Sequence, residues 1–203
     1  MAMQHSRQYM AIEQYLLLVH NSDRRYEYYD GEVRLLAGGS SNHAAISLNL
    51  GVALDQALGD DAVCRPYVLD KMVRVTPTKI VIPDVVVSCD SADHGESQII
   101  DSPLLVVEVL SKSTEMTDRF VKLALYQAKE SIREIVFISQ VIQRVEIFTR
   151  SATSWLYHQY GAGQNFYLSS LDIEIEVRQL YRRLSIPAMI EQVEEEDGLH
   201  PSE

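Results

Sequence analysis

Two stretches decide how this chain folds: Pro83-Asp84-Val85-Val86-Val87-Ser88, and Leu104-Leu105-Val106-Val107-Glu108-Val109-Leu110. Both read as strands. The first extends back to Val81, with Pro83 near its start, where a proline is tolerated. The second is apolar enough to be central, with both faces covered. Each carries one carboxylate, and an unpaired buried charge costs several kcal/mol. Asp84 and Glu108 therefore need a partner.

The 15-residue interval between the strands, 89–103, is rich in turn formers. It predicts an antiparallel pair. A pairing centred near Glu96 sets position 84 opposite position 108, so the two carboxylates stand side by side at one end of a sheet. Held that close they repel, unless a cation lies between them. A hard divalent ion with oxygen ligands fits, and Mg²⁺ binds through one or two carboxylates while keeping waters and a substrate phosphate. Mn²⁺ is the alternative ion.

Thr114 to Lys129 reads as a helix that starts where the second strand ends. At ~100° per residue, Asp118, Lys122, Tyr126 and Lys129 share one sector of it. An extended Lys122 reaches back toward the strand end. Metal plus lysine is an arrangement that cleaves phosphodiesters: the ion activates a water and the lysine stabilises developing charge. Rival readings stay open here. Asp84 could cap a turn beside Pro83, and Glu108 could pair with an arginine. Lys122 could belong to a solvated polar face with Glu115, Asp118 and Arg119.

Outward from this centre, Gln8–Val19 reads as a short helix. Asp30-Gly31 marks a tight turn before a strand over Glu32–Leu36. Gly38-Gly39-Ser40-Ser41 precedes a helix from Asn42 to Leu58, with Ile46, Leu50 and Leu54 on its buried stripe. His43 opens that helix and could touch a phosphate or water, or simply cap it. Glu27 could supply a third carboxylate, or a salt bridge. Strands are expected over 63–69, 71–75, 133–139, 144–149, 154–160 and 173–177, and a short helix over 178–184. The strand–helix–strand from Leu104 to Ile138 predicts a parallel pair with a right-handed crossover. The whole is a mixed α/β sheet with helices 42–58 and 114–129 packed on it. It forms one domain over 1–187, followed by an acidic tail over 188–203.

Composition limits the possibilities. The 203 residues are 46% apolar and carry a net charge of −11, which disfavours a nucleic-acid partner. Six acidic residues lie between Glu191 and Glu203; without them the balance is still 23 acidic to 18 basic. A DNA enzyme with this balance needs a local basic patch or metal ions. Cys64 and Cys89 match no zinc spacing, and no apolar run is long enough for a membrane span. A reduced, cytoplasmic compartment is expected. The remaining histidines have no metal spacing, and no nucleotide-binding glycine loop or nucleophile elbow is present.

Pro83-Asp84, Glu108-Val109-Leu110-Ser111, and Asp118-Arg119 with Lys122 and Tyr126 together resemble the Uma-two-type restriction endonuclease family of the PD-(D/E)XK superfamily. Tyr26-Glu27, Asp30-Gly31-Glu32 and Ser41-Asn42-His43 support the likeness, which covers roughly Met10 to Arg150. It implies a restriction endonuclease-like αβββαβ core with extra C-terminal strands, and Asp84 and Glu108 as metal ligands. Leu110 stands at the lysine position of the (D/E)XK element, and the resemblance suggests that Lys122 substitutes for it. Lys112 stands where the family often has proline. Glu27 and His43 carry over as site residues. The expected activity is Mg²⁺-dependent DNA hydrolysis, and cutting both strands would favour a homodimer, with strands 144–149 and 154–160 as its contact. The alternative is a non-catalytic binding module that keeps the nuclease fold.

Overall fold

A computed structural model describes residues 9–111 and 114–188. Helix α1 (Ile12–His20) leads into the hairpin β1 (Tyr26–Tyr29) and β2 (Glu32–Leu35). Asp30 and Gly31 make its turn with φ of 48° and 98°, the left-handed pair that a two-residue hairpin requires. Helix α2 (Ser41–Leu58) is capped by Ser40, whose Oγ accepts from His43 N at 3.1 Å. A Cβ at Gly51 of this helix would overlap Val68 Cγ2, so glycine sets how closely α2 approaches the sheet.

The next strands are β3 (Arg65–Val68), β4 (Met72–Thr76), β5 (Lys79–Val81), β6 (Val85–Ser88), β7 (Ile99–Ile100) and β8 (Pro103–Leu110). A helix follows in three pieces: α3 (Glu115–Thr117), a π-helical turn (Asp118–Lys122) and α4 (Leu123–Ala128). Strands β9 (Glu134–Ser139), β10 (Arg144–Arg150), β11 (Trp155–Gly161), β12 (Asn165–Leu168) and β13 (Ile173–Glu176), then helix α5 (Val177–Leu180), complete the described fold.

The sheet built around β8 is mixed, as expected, but the strands form two larger sheets and a hairpin where one sheet was expected. The six-stranded sheet runs β11-β10-β9-β8-β6-β3 and the five-stranded sheet β2-β1-β5-β4-β7, while β12 pairs with β13. The segment read as one strand from Val81 to Ser88 is divided between the two sheets, β5 in one and β6 in the other. Ile82-Pro83-Asp84 is the crossing. Pro83 has no N–H to continue a ladder, and Ile82 N donates to the Glu27 carboxylate instead, at 3.1 Å. Strands β8 and β9 are parallel, as the strand–helix–strand pattern predicts. Strand β10 lies between β9 and β11, so of the two strands expected at a contact surface only β11 is an edge.

Strand β8 is covered on both faces. Leu105, Val107 and Val109 pack against Ile46, Leu50 and Leu54 of α2 and against the β12–β13 hairpin. Val106 and Leu110 pack with Tyr126 of α4 and with Val73, Val81 and Ile100 of the five-stranded sheet. By the two-residue period of a strand, Glu108 points to this second face, between the two sheets.

Cys64 and Cys89 are not separate thiols. They flank the paired positions Arg65 and Ser88 and are joined by a disulfide, which removes the cysteine argument for a reduced compartment. No helix among the described residues is long and apolar enough to cross a membrane. Lys112, Ser113, His5, His200 and the acidic tail beyond Ala188 lie outside the described residues.

The α2 interface supplies a stability test. Leu50 is 1% exposed and Leu48 59% exposed on the same helix. Leu50→Ala is expected to lower unfolding free energy by about 2–5 kcal/mol, and Leu48→Ala by no more than about 0.5 kcal/mol, both read from urea denaturation.

Candidate active site

Val85 pairs with Val107 and Val86 with Val106, the register that puts Asp84 opposite Glu108. Asp84 N donates to Val107 O at 3.0 Å, and Val109 N donates to Asp84 Oδ2 at 2.7 Å. His43 Nε2 lies 3.1 Å from the same Oδ2. The first turn of α2 therefore reaches the end of β6. Gly39 leaves the room for it, since a Cβ there would stand 2.7 Å from His43 Nδ1.

Glu108 is 3% exposed. Its Oε1 accepts from Lys122 Nζ at 3.0 Å and from the Tyr126 hydroxyl at 2.5 Å. Burial pushes its carboxyl well above the ordinary range; Lys122 opposes this, and the nearby Asp118 and Asp84 charges add to it. Among the described residues, the hydrogen bonds leave Asp84 Oδ1 and Glu108 Oε2 without a protein donor.

Lys122 is only 5% exposed, so the solvated-face reading of its helix sector is corrected for Asp118, Lys122 and Tyr126. Nζ lies 3.0 Å from Glu27 Oε1, 3.0 Å from Glu108 Oε1 and 3.5 Å from Asp118 Oδ1. Burial alone would lower the lysine pKa, but Glu108, Glu27 and Asp118 together hold it well above the ordinary value. The lysine stays charged. It sits at the end of the π-helical turn, where Leu123 N bonds back to Asp118 O. Such wider turns recur at functional sites.

Glu27 also bonds within the protein. Its Oε1 accepts from Ile82 N, and its Oε2 from the Tyr29 hydroxyl at 2.8 Å. It holds Lys122 from below and does not line the cleft. Asp118 does line it, although the sequence reading left it in the solvated sector. It is 2% exposed, and burial raises its carboxyl pKa against the pull of Lys122. The sequence signal was Tyr126, a bulky aromatic four residues beyond Lys122 in a stripe assigned to solvent.

These groups open on a cleft of about 560 Å³, lined by His43, Asp84, Glu108, Asp118 and Lys122 and roofed by Gly38–Ser40 and the Gln140-Val141 turn. Ser40 Oγ donates to Gln140 Oε1 at 2.6 Å and ties the two walls. Other buried carboxylates differ in kind. Glu134 is spent on Thr149, Ser169 and Ser170. Asp93 is spent on Ser88, Asp101 and Ser102. Glu146 pairs with Arg119 and Arg144. These three organise loops and ion pairs, whereas Asp84 and Glu108 face space.

A mixed sheet that sets two facing carboxylates and a helix-borne lysine around one cleft is the plan of a restriction endonuclease-like fold. The chain belongs to the Uma2 family, whose model, described as "Putative restriction endonuclease", matches residues 12–186. It is 32% identical over 175 residues to the uncharacterized Synechocystis protein slr1290, covering 85% of this chain and 92% of that one. It is 26% identical to a second uncharacterized Synechocystis protein, sll1609, covering 68% and 78%. A crystal structure from Anabaena variabilis, described as a putative nuclease belonging to DUF820, shares the fold with a TM-score of 0.67. That likeness covers 84% of this chain and 97% of the other at 14% identity.

Lys122→Met would leave Glu27, Glu108 and Asp118 buried around an apolar side chain. It is expected to cost about 3–5 kcal/mol at neutral pH, and Tyr126→Phe about 1 kcal/mol, both measured by denaturant unfolding of metal-free protein.

Proposed function

We propose that the chain is a divalent-metal-dependent endonuclease that hydrolyses DNA phosphodiester bonds. Asp84 and Glu108 are its metal ligands, and Mg²⁺, or Mn²⁺ in its place, is the ion. One observation carries this reading: two carboxylates on facing positions, each with one oxygen that no group among the described residues engages, at a cleft that also holds a charged lysine. The donor set suits a hard cation. Among the described residues no three His, Cys, Asp or Glu side chains form a ready ligand group. Two carboxylates with water completing the shell match Mg²⁺.

A divalent ion bound there would polarise a phosphoryl oxygen and lower the pKa of a water. The chain's own residues position and balance charge. Val109 N and His43 Nε2 both engage Asp84 Oδ2, which fixes the carboxylate and leaves Oδ1 as the ligand atom. Tyr126 and Lys122 do the same for Glu108. Lys122 has its loosest contact with Asp118, at 3.5 Å, so a phosphate oxygen entering the cleft displaces that one and gains the ammonium as its donor. Glu27 keeps Lys122 in place from the buried side. A second copy of the chain would bring a second cleft to the opposite DNA strand, with the β11 edge as the contact.

The test is cleavage of plasmid and single-stranded DNA in Mg²⁺ or Mn²⁺ by the wild type and Asp84→Asn. The variant is expected to be slower by about a hundredfold or more, and chelation to stop the wild type. Equal behaviour of the two proteins would contradict the site. The non-catalytic binding module, which the net charge of −11 favours, would then take its place.

A further inference from the structure

A second cavity, of about 550 Å³, is lined by Ile82 of the crossing and by the 69–72 turn. Arg25 and Ile82 line both cavities, so the two are neighbours. The proposed function raises a problem that this cavity answers. A chain with a net charge of −11 repels the polyanion it is to cut, and cations near the cleft must offset that.

Arg24, Arg25 and Lys71 line the second cavity and outnumber its carboxylates, Asp23 and Asp70. Their charges are little neutralised. Lys71 Nζ donates to the Ser97 carbonyl and lies 5.0 Å from the centroid of the Tyr67 ring. Both partners are uncharged, so the ammonium is held in place with no opposing charge beside it. Among the described residues no carboxylate pairs with Arg24 or Lys71. Arg25 has only a loose contact, 3.7 Å, with Asp70, whose side chain is 77% exposed. By contrast, Arg74 with Asp101 at 2.9 Å and Lys79 with Asp30 at 2.6 Å are closely paired.

The floor of the cavity is also tied to the backbone of Asp84. Leu69 and Asp70, in the turn between β3 and β4, both have left-handed backbone, φ 50° and 86°. Non-glycine residues hold this conformation at a cost. The turn places Leu69 N within 2.9 Å of Asp84 O. An occupant of the second cavity thus lies against the backbone that carries Asp84.

We propose that this second cavity is a substrate subsite that holds the DNA phosphate backbone beyond the scissile phosphate, with Lys71 and Arg24 as its phosphate contacts and Arg25 as the bridge to the catalytic cleft. The subsite rests on the nuclease reading and adds the path of the bound strand.

The experiment is fluorescence anisotropy with a labelled oligonucleotide, single-stranded and double-stranded, in EDTA across a salt series, alongside DNA cleavage in Mg²⁺. The Arg24→Ala/Lys71→Ala double variant is expected to raise Kd by about tenfold and to reduce the slope of log K against log salt by roughly two. KM for cleavage should rise more than kcat falls. Asp84→Asn should bind DNA at least as well as the wild type and fail to cleave it. Arg24 is exposed, so Arg24→Ala alone is the fallback if the double variant does not fold; about half the slope change is then expected. A wild type that binds and cleaves, with a folded double variant of unchanged Kd and slope, would overturn the subsite and leave the nuclease reading standing. A wild type that neither binds nor cleaves DNA would remove both.

Discussion

One buried ammonium group joins the parts of this molecule. Lys122 comes from the π-helical turn, Glu27 from β1 in the five-stranded sheet, and Glu108 from β8 in the six-stranded sheet, and each carboxylate stands 3.0 Å from Nζ. The desolvation cost of that charge is recovered only if all its partners are in place. The geometry therefore fixes the two sheets and the helix relative to one another. The same cluster is rich in carboxyl groups. Glu27, Asp84, Glu108 and Asp118 face one lysine and one histidine, and the raised proton affinity of Glu108 and Asp118 shows that added positive charge is favoured there.

The cleft itself follows from the break at Pro83. A continuous strand from Val81 to Ser88 would have stayed in one sheet. With its ladder interrupted, the chain passes from β5 in one sheet to β6 in the other. Asp84 is left at the start of β6, where its carbonyl and carboxylate take N–H groups from Leu69 and Val109. Its carboxylate is thus held from α2 and β8, and its backbone from the turn between β3 and β4. Within the restriction endonuclease-like family fold, the position of Asp84 is a consequence of where one proline stops a strand.

Part of this was legible in the sequence because it depended on local pattern. The apolar run of β8, the turn chemistry before it and the pairing about Glu96 gave the register that the structure has, Val85 opposite Val107. The parallel step from β8 to β9 followed from strand–helix–strand order. The helix sector with Asp118, Lys122 and Tyr126 was also readable, but its direction was not. Periodicity says which residues share a face and does not say what covers it, and charged residues there suggested water. The structure covers that face with Glu27 and β8. The five-stranded sheet was missed for another reason. Strands β5 and β7 have three and two residues, too few to show a period, and they are recruited by tertiary packing. The disulfide was hidden because the pairing of β3 with β6, which sets Cys64 beside Cys89, has no local signal.

The most direct test of the central claim is calorimetric titration of the metal-free protein with Mn²⁺. Asp84 and Glu108 as ligands of one ion predict a single site per chain in the wild type. They also predict its loss in a folded Glu108→Gln variant. No binding by the wild type, or the same binding in Glu108→Gln, would contradict the account.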